Sequence, residues 1–299
     1  MTAKINLHTH STFSDGKNTA REHVLNAIQK GFTVLGFSEH CIYPLDPAFY
    51  SHVDSNWHMT PPKYSGYIQE LKALKEEFAD RITILLGLEA DYFNSAQYGR
   101  AVPDKNAYEL FKPDYLIGSV HFINTPKGFF TVDNKLEEVQ KALNSFYTDA
   151  NGKIDGKAVA CDYFTAEREM LRDGNFEIVG HPDLVRLRNS VLHFFDENKG
   201  WYKEQLKLTA KAMAAAGVIA EINTGAIARG LMDDVYPSEQ FLEYLKEQGV
   251  PVCINSDAHK AEFLDASFDY AAVKAKRAGY KEITYPVQGK LIHIDISSC

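Results

Sequence analysis

Six of the eleven histidines in this 299-residue chain fall in short clusters at the ends of apolar runs, five of them in company with acids. His8 and His10 form His-Thr-His with Asp15 close behind. His40 ends Ser-Glu-His, Glu89 sits in Gly-Leu-Glu-Ala, and His121 ends Gly-Ser-Val-His. His181 lies in Gly-His-Pro-Asp, and Asp257 and His259 flank an alanine. Imidazole and carboxylate together suit zinc, iron or manganese, and the lack of thiolate among these candidates argues against a closed, cysteine-rich structural site. At the end of a strand, residues two apart point to the same side, so His8 and His10 can chelate one ion. The chemistry expected of such a set is metal-assisted hydrolysis. His23 lies on a predicted helix, His52 and His58 lie in a long loop, and His193 and His293 lack acidic or His companions at strand ends; all five read as structural or solvated.

Groups so far apart in sequence can meet only if regular elements bring them together. Apolar runs rich in β-branched residues at 4–7, 33–37, 82–88, 115–120, 177–180, 218–222 and 252–255 read as strands. Between them lie stretches of helical period at 19–30, 63–79, 136–148, 157–172, 201–215 and 238–248, with a last helix at 266–278 before two short strands. Repeated βα units follow, and each ligand candidate except Asp15 falls just past a predicted strand. In a (β/α) barrel the carboxyl ends of the strands converge on one face, which would gather these side chains. A doubly wound open sheet is the competing layout, but no GxGxxG loop follows the first strand. Residues 41–62 are too long for an ordinary connection and are a candidate lid. With no linker or low-complexity tract, one domain over 1–299 is expected.

The composition, 45% hydrophobic and 24% charged, fits a compact fold, and the net charge of -8 disfavours attraction to nucleic acid. A small substrate is favoured. The four cysteines form no CxxC pair, as expected in a reducing compartment. The start MTAKINLHTH has no apolar signal region and no later stretch is long and apolar enough to span a bilayer, so a cytoplasmic protein without membrane attachment is expected.

HTHSTFSDG at 8–16, SEH at 38–40, GLEA at 87–90, GSVH at 118–121, GHPD at 180–183 and NSDAH at 255–259 together resemble the PHP (polymerase and histidinol phosphatase) metal-dependent phosphoesterases. The resemblance implies a distorted (β/α)7 TIM-like barrel and two to three divalent metals. One would be bound by His8, His10, Glu89 and Asp257, with Glu89 bridging to a second held by His121 and His181. Asp15, His40 and His259 would take a third. Glu89 and Asp257 would support a metal-bridging hydroxide that attacks phosphorus in line. Arg168 and Arg229 are the implied phosphate clamps, with Arg186 and Arg188 as further candidates. GSVHF at 118–122, GHPDL at 180–184 and NTGAIARGLMDDVYPS at 223–238 resemble the histidinol-phosphate phosphatases of the family. Histidinol phosphate is the substrate this implies; nucleotides, DNA ends and phosphotyrosine are the alternatives.

Overall fold

The computed structural model of the chain describes residues 3–43 and 57–296. Most of the candidate lid, and His52 within it, lies outside the described residues. Strands β1 (Ile5–Asn6), β2 (Val34–Cys41), β3 (Thr83–Asp91), β6 (Tyr115–Ser119), β9 (Ile178–Val179), β10 (Ile219–Asn223) and β11 (Val252–Asn255) form a seven-stranded sheet in that order. Every pairing within it is parallel.

The sheet nearly closes on itself. His10 N donates to Ala258 O (3.0 Å) and Ala258 N to His8 O (3.2 Å), just beyond the carboxyl ends of β1 and β11. Below that bridge, two asparagine side chains stand in for strand pairing. Leu7 N donates to Asn255 Oδ1 (2.8 Å) and Ser256 N to Asn6 Oδ1 (2.9 Å). Backbone amides that a gap would leave unpaired are thereby satisfied, and the barrel is closed where His8, His10 and Asp257 emerge.

Helices α1 (Ala20–Gln29), α2 (Pro61–Glu77), α3 (Leu136–Tyr147), α4 (Gly156–Asp173), α5 (Arg186–Leu192), α6 (Gly200–Ala216), α7 (Gly225–Ala228), α8 (Glu239–Glu247) and α9 (Phe268–Arg277) connect the strands. The start of α1 is fixed by a capping box: Glu22 N donates to Thr19 Oγ1 (3.2 Å) and Thr19 N to Glu22 Oε2 (2.7 Å). Such a cap contributes about 1 kcal/mol. On α2, Tyr64, Tyr67, Leu71 and Leu74 recur at helical spacing and are the buried face. Tyr67 Oη donates to Gly87 O (2.7 Å), tying that helix to the sheet. Gly36 and Gly87 have no side chain because the Tyr115 ring lies across them. A Cβ there would sit 2.2 Å and 2.3 Å, respectively, from atoms of that phenol.

Two hairpins that the apolar pattern does not announce, β4 (Phe93–Ser95) with β5 (Gly99–Ala101) and β7 (Phe122–Thr125) with β8 (Gly128–Thr131), rise from the carboxyl ends of β3 and β6. Ile42, Phe93, Ala101 and Phe122 form a small second core there, against which Trp57, Tyr98 and Phe129 pack. A terminal pair, β12 (Glu282–Val287) with β13 (Lys290–Asp295), backs onto β11 through Tyr285 Oη, which donates to Ile254 O (2.6 Å). Among the described residues no helix is long and apolar enough to cross a membrane.

Candidate metal centre

All nine ligand candidates reach the end of the barrel where β1 and β11 are bridged. His8 and His10 follow β1, His121 follows β6, His181 follows β9, and Asp257 and His259 follow β11. His40 and Glu89 lie inside their strands rather than past them, as a register that pairs His40 with Glu89 carries β2 on to Cys41 and β3 on to Asp91. His181 (φ 30°) and Asp257 (φ 48°) sit in the left-handed region, where a side chain costs about 1–3 kcal/mol. That conformation breaks the strand alternation and lets both turn toward the centre.

Glu89 organises the site. Its Oε2 lies 3.2 Å from His8 Nε2 and 3.5 Å from His10 Nε2, and Asp257 Oδ1 lies 3.7 Å and 3.2 Å from the same two nitrogens. Ligand atoms about 2.1 Å from an ion at the tetrahedral angle lie about 3.4 Å apart, which is the scale of these separations. Its other oxygen, Oε1, faces His181 Nε2 (2.7 Å) and His121 Nε2 (3.5 Å). On the open side, Asp15 Oδ2 is 3.1 Å from His259 Nε2 and Oδ1 is 3.7 Å from His40 Nε2. The His10 ring stacks between those of His40 and His259, with centroids 4.2 Å and 4.4 Å away, so His10 borders this third group as well.

The residues fit a cation. Among the described residues His8 Nε2, both nitrogens of His10 and Asp15 Oδ1 are buried without hydrogen-bond partners, and His40 Nδ1 lies 2.7 Å from Glu89 Oε2. Orphaned buried polar atoms are costly, and here they converge from several strands on common points. Two acids outside the expected set explain how the rings are aimed. Glu221 Oε1 is 2.7 Å from His8 Nδ1 and Asp91 Oδ1 is 2.6 Å from His121 Nδ1. A carboxylate that takes the Nδ1 proton leaves the Nε2 lone pair directed inward. Glu221 also accepts from His181 N (2.8 Å), Asn223 Nδ2 (2.8 Å) and Asn255 Nδ2 (2.9 Å), so one buried side chain ties three strand ends together. Glu39 does the same for the first loop, accepting from the amides and hydroxyls of Ser11 and Ser14. Asp91→Asn is expected to lower kcat/KM about tenfold to a hundredfold by loosening His121. Paired kinetics and metal analysis check this.

Without a cation the cluster draws in protons. Burial opposes charge on His40 and His121, but Glu89 with Asp15, and Asp91 with Glu89, outweigh it and raise them to about 9 and about 10. His8 is likewise held well above the ordinary range against its burial by Glu221, Glu89 and Asp257, whereas burial and the neighbouring His40 and His259 push His10 well below it.

A cavity of about 320 Å³ opens beside the centre, bordered by Asp15, His40, His121, His181, Asp257 and His259 on one side. Arg229 and Arg188 line it too. Arg229 Nη2 donates to Asp257 Oδ2 (3.1 Å), and Arg188 is held by backbone carbonyls, from Nε to Asn134 O and from Nη2 to Asp133 O (2.7 Å each). Arg168 is not there, which corrects the expectation that it clamps phosphate. It projects from α4 toward α6, donating to Thr209 Oγ1 and Thr165 Oγ1 (3.1 Å each), and lines a separate cavity beside Phe176 and Val218, at the opposite ends of the strands. Arg186 is nearly buried in a network with Glu197, Asp234 and Val235 O. His58, read as structural or solvated, is buried with Nε2 3.3 Å from Asp91 Oδ2.

The chain is 26% identical over 286 residues to a protein of Deinococcus radiodurans named probable histidinol-phosphatase, covering 95% of this chain and 97% of that one. It is 27% identical over 274 residues to the histidinol-phosphatase of Bacillus subtilis, covering 89% and 96%. The fold matches the solved structure of the Lactococcus lactis histidinol phosphate phosphatase, described as complexed with zinc, L-histidinol and phosphate. The TM-score is 0.65 at 21% identity, with 97% of this chain and 98% of that one covered. The PHP domain family model matches residues 6–225, a span that holds seven of the nine converging ligand candidates, and the chain belongs to that family.

Proposed function

We propose that this protein is a phosphoric monoester hydrolase that takes histidinol phosphate to histidinol and phosphate, using two to three divalent cations, zinc, iron or manganese. The observation that carries this reading is the placement of Glu89, whose two oxygens face two separate imidazole groups beside a cavity lined by two arginines. His8, His10, Glu89 and Asp257 would hold one cation, Glu89, His121 and His181 a second, and Asp15, His40 and His259 a third. Cations there supply Lewis acidity toward phosphoryl oxygens and toward water.

The chain's own side chains do the rest. Arg229 and Arg188 offer guanidinium donors at the cavity wall, suited to orienting a phosphate. Asp257, bonded to Arg229, links that orientation to the metal-facing groups. The names of the relatives from Deinococcus and Bacillus support the choice of ester. A screen of histidinol phosphate, nucleotides, phosphotyrosine and short DNA, with metal analysis of the same sample, tests the reading. Histidinol phosphate is expected to be the best substrate by about tenfold or more, the factor worth about 1.4 kcal/mol of transition-state binding. Full activity in metal-free protein, or preference for another ester, would overturn it.

A further inference from the structure

The cavity carries one charge that the metal-facing cluster does not use. Asp133 follows β8 and lines the wall with Thr131 and Asn134. Its backbone is fixed, because Arg188 bonds the carbonyls of both Asp133 and Asn134. Its carboxylate is not. Among the described residues that group makes no hydrogen bond or ion pair, and Oδ1 is shielded from solvent without a partner. It borders the same cavity as His121, His181, Asp257 and Arg229, and its charge reaches His121 and Arg229.

A carboxylate at that position repels a phosphate dianion, so for phosphate alone it is misplaced. It becomes favourable if the alcohol part of the ester brings a cation with it. A small ester with an ammonium group on the carbon beside the ester carbon holds both charges close together. The phosphate can then meet the arginines and the metal-facing groups while the ammonium meets the acid. We propose that Asp133 selects for phosphate esters whose alcohol carries such an ammonium group, by pairing its carboxylate with that cation. This inference rests on the phosphatase reading above and adds the feature of the substrate that is recognised. A half-buried carboxylate at a cavity wall has lost part of its hydration, so a charge-assisted hydrogen bond restores much to it, and an ester without the ammonium leaves it unpaired. Sites built around a polar group reject analogues lacking it for this reason.

The test compares kcat/KM of the metal-loaded enzyme on L-histidinol phosphate and on its deamino analogue, imidazolylpropyl phosphate. The native protein is expected to prefer the ammonium ester by about tenfold to a hundredfold. Asp133→Asn should bring that ratio close to one, chiefly through KM, with metal content unchanged, and Asp133→Glu should retain part of the preference. If the ratio survives in Asp133→Asn, or if both esters suffer equally as metal is lost, the carboxylate does not read the ammonium and the inference falls. Equal turnover of the two esters by the native protein would also sink it, while leaving the phosphatase reading intact. Inactivity on every phosphate ester would overturn both.

Discussion

Glu89→Gln is expected to reduce kcat/KM for histidinol phosphate by about a thousandfold or more, an effect on the scale of losing a metal-supported step. The substitution keeps size and shape, so the fold should persist. What changes is the chemistry of one end. Glu89 Oε2 faces His8 and His10 while Oε1 faces His181 and accepts from Ser119 Oγ (2.7 Å). An amide has one oxygen and one NH2, so whichever way it turns, one cluster meets a donor where it had an acceptor, and the negative charge shared by both disappears. The surrounding histidines hold the native carboxylate well below the usual range in spite of its burial, so it is ionised throughout the working pH range. Kinetics, metal analysis and circular dichroism on one preparation read out the result. Activity within about tenfold of native with a full metal complement would show that Glu89 does not bridge. Asp257→Asn, expected to cost a similar factor, covers the case in which Glu89→Gln fails to fold.

The barrel was legible because its strands are apolar runs with helices of clear period between them, and because polar ligands interrupt those runs at their ends. That same polarity hid where the strands stop. Ser-Glu-His-Cys and Glu-Ala-Asp do not look like sheet, yet they pair in register as β2 and β3 continue. Burial on both faces, with carboxylates satisfied by imidazoles, overrides the propensity of the residues. Asp91 left a trace that could have been read: it stands two residues beyond Glu89, on the same face of the strand, and so must enter the same site. Glu221 left another, as an acid inside the apolar run of β10 with no neighbouring cation in sequence. Arg168 failed for the opposite reason. Helical period says that a residue lies on a helix, but not at which end of the barrel it emerges, and the 3.1 Å bonds to Thr209 and Thr165 place it away from the centre. The hairpin that leads into Asp133 had no alternation to mark it, since its side chains are divided between the main core, which takes Ile123 and Phe130, and the satellite core, which takes Phe122 and Phe129.

Stripping divalent cations with a chelator is expected to abolish phosphatase activity and to lower Tm by about 10 °C at neutral pH, with both restored on adding the cation back. The magnitude follows from linkage. A cation present at about a thousandfold over its Kd contributes about 4 kcal/mol, and each kcal/mol is worth about 2–4 °C in a protein approaching this size. The pH dependence is the sharper part. In the metal-free protein His40 and His121 titrate near 9 and 10, above the value of about 6.5 for an unfolded chain. Protonated, they stabilise the fold; that contribution is complete below about 6.5 and is lost as pH rises through 9 and 10. A cation needs these imidazoles neutral, so at pH 7 it must expel their protons, and its affinity rises with pH. The loss of Tm on chelation should therefore widen between pH 7 and 9, and titration with the cation should release protons at pH 7 in amounts that shrink toward pH 10. Scanning calorimetry with and without chelator, and calorimetric titration in buffers of different ionisation enthalpy, measure both. A chelation effect that stayed constant over this range, with no proton release, would mean that the cations bind elsewhere than among these histidines.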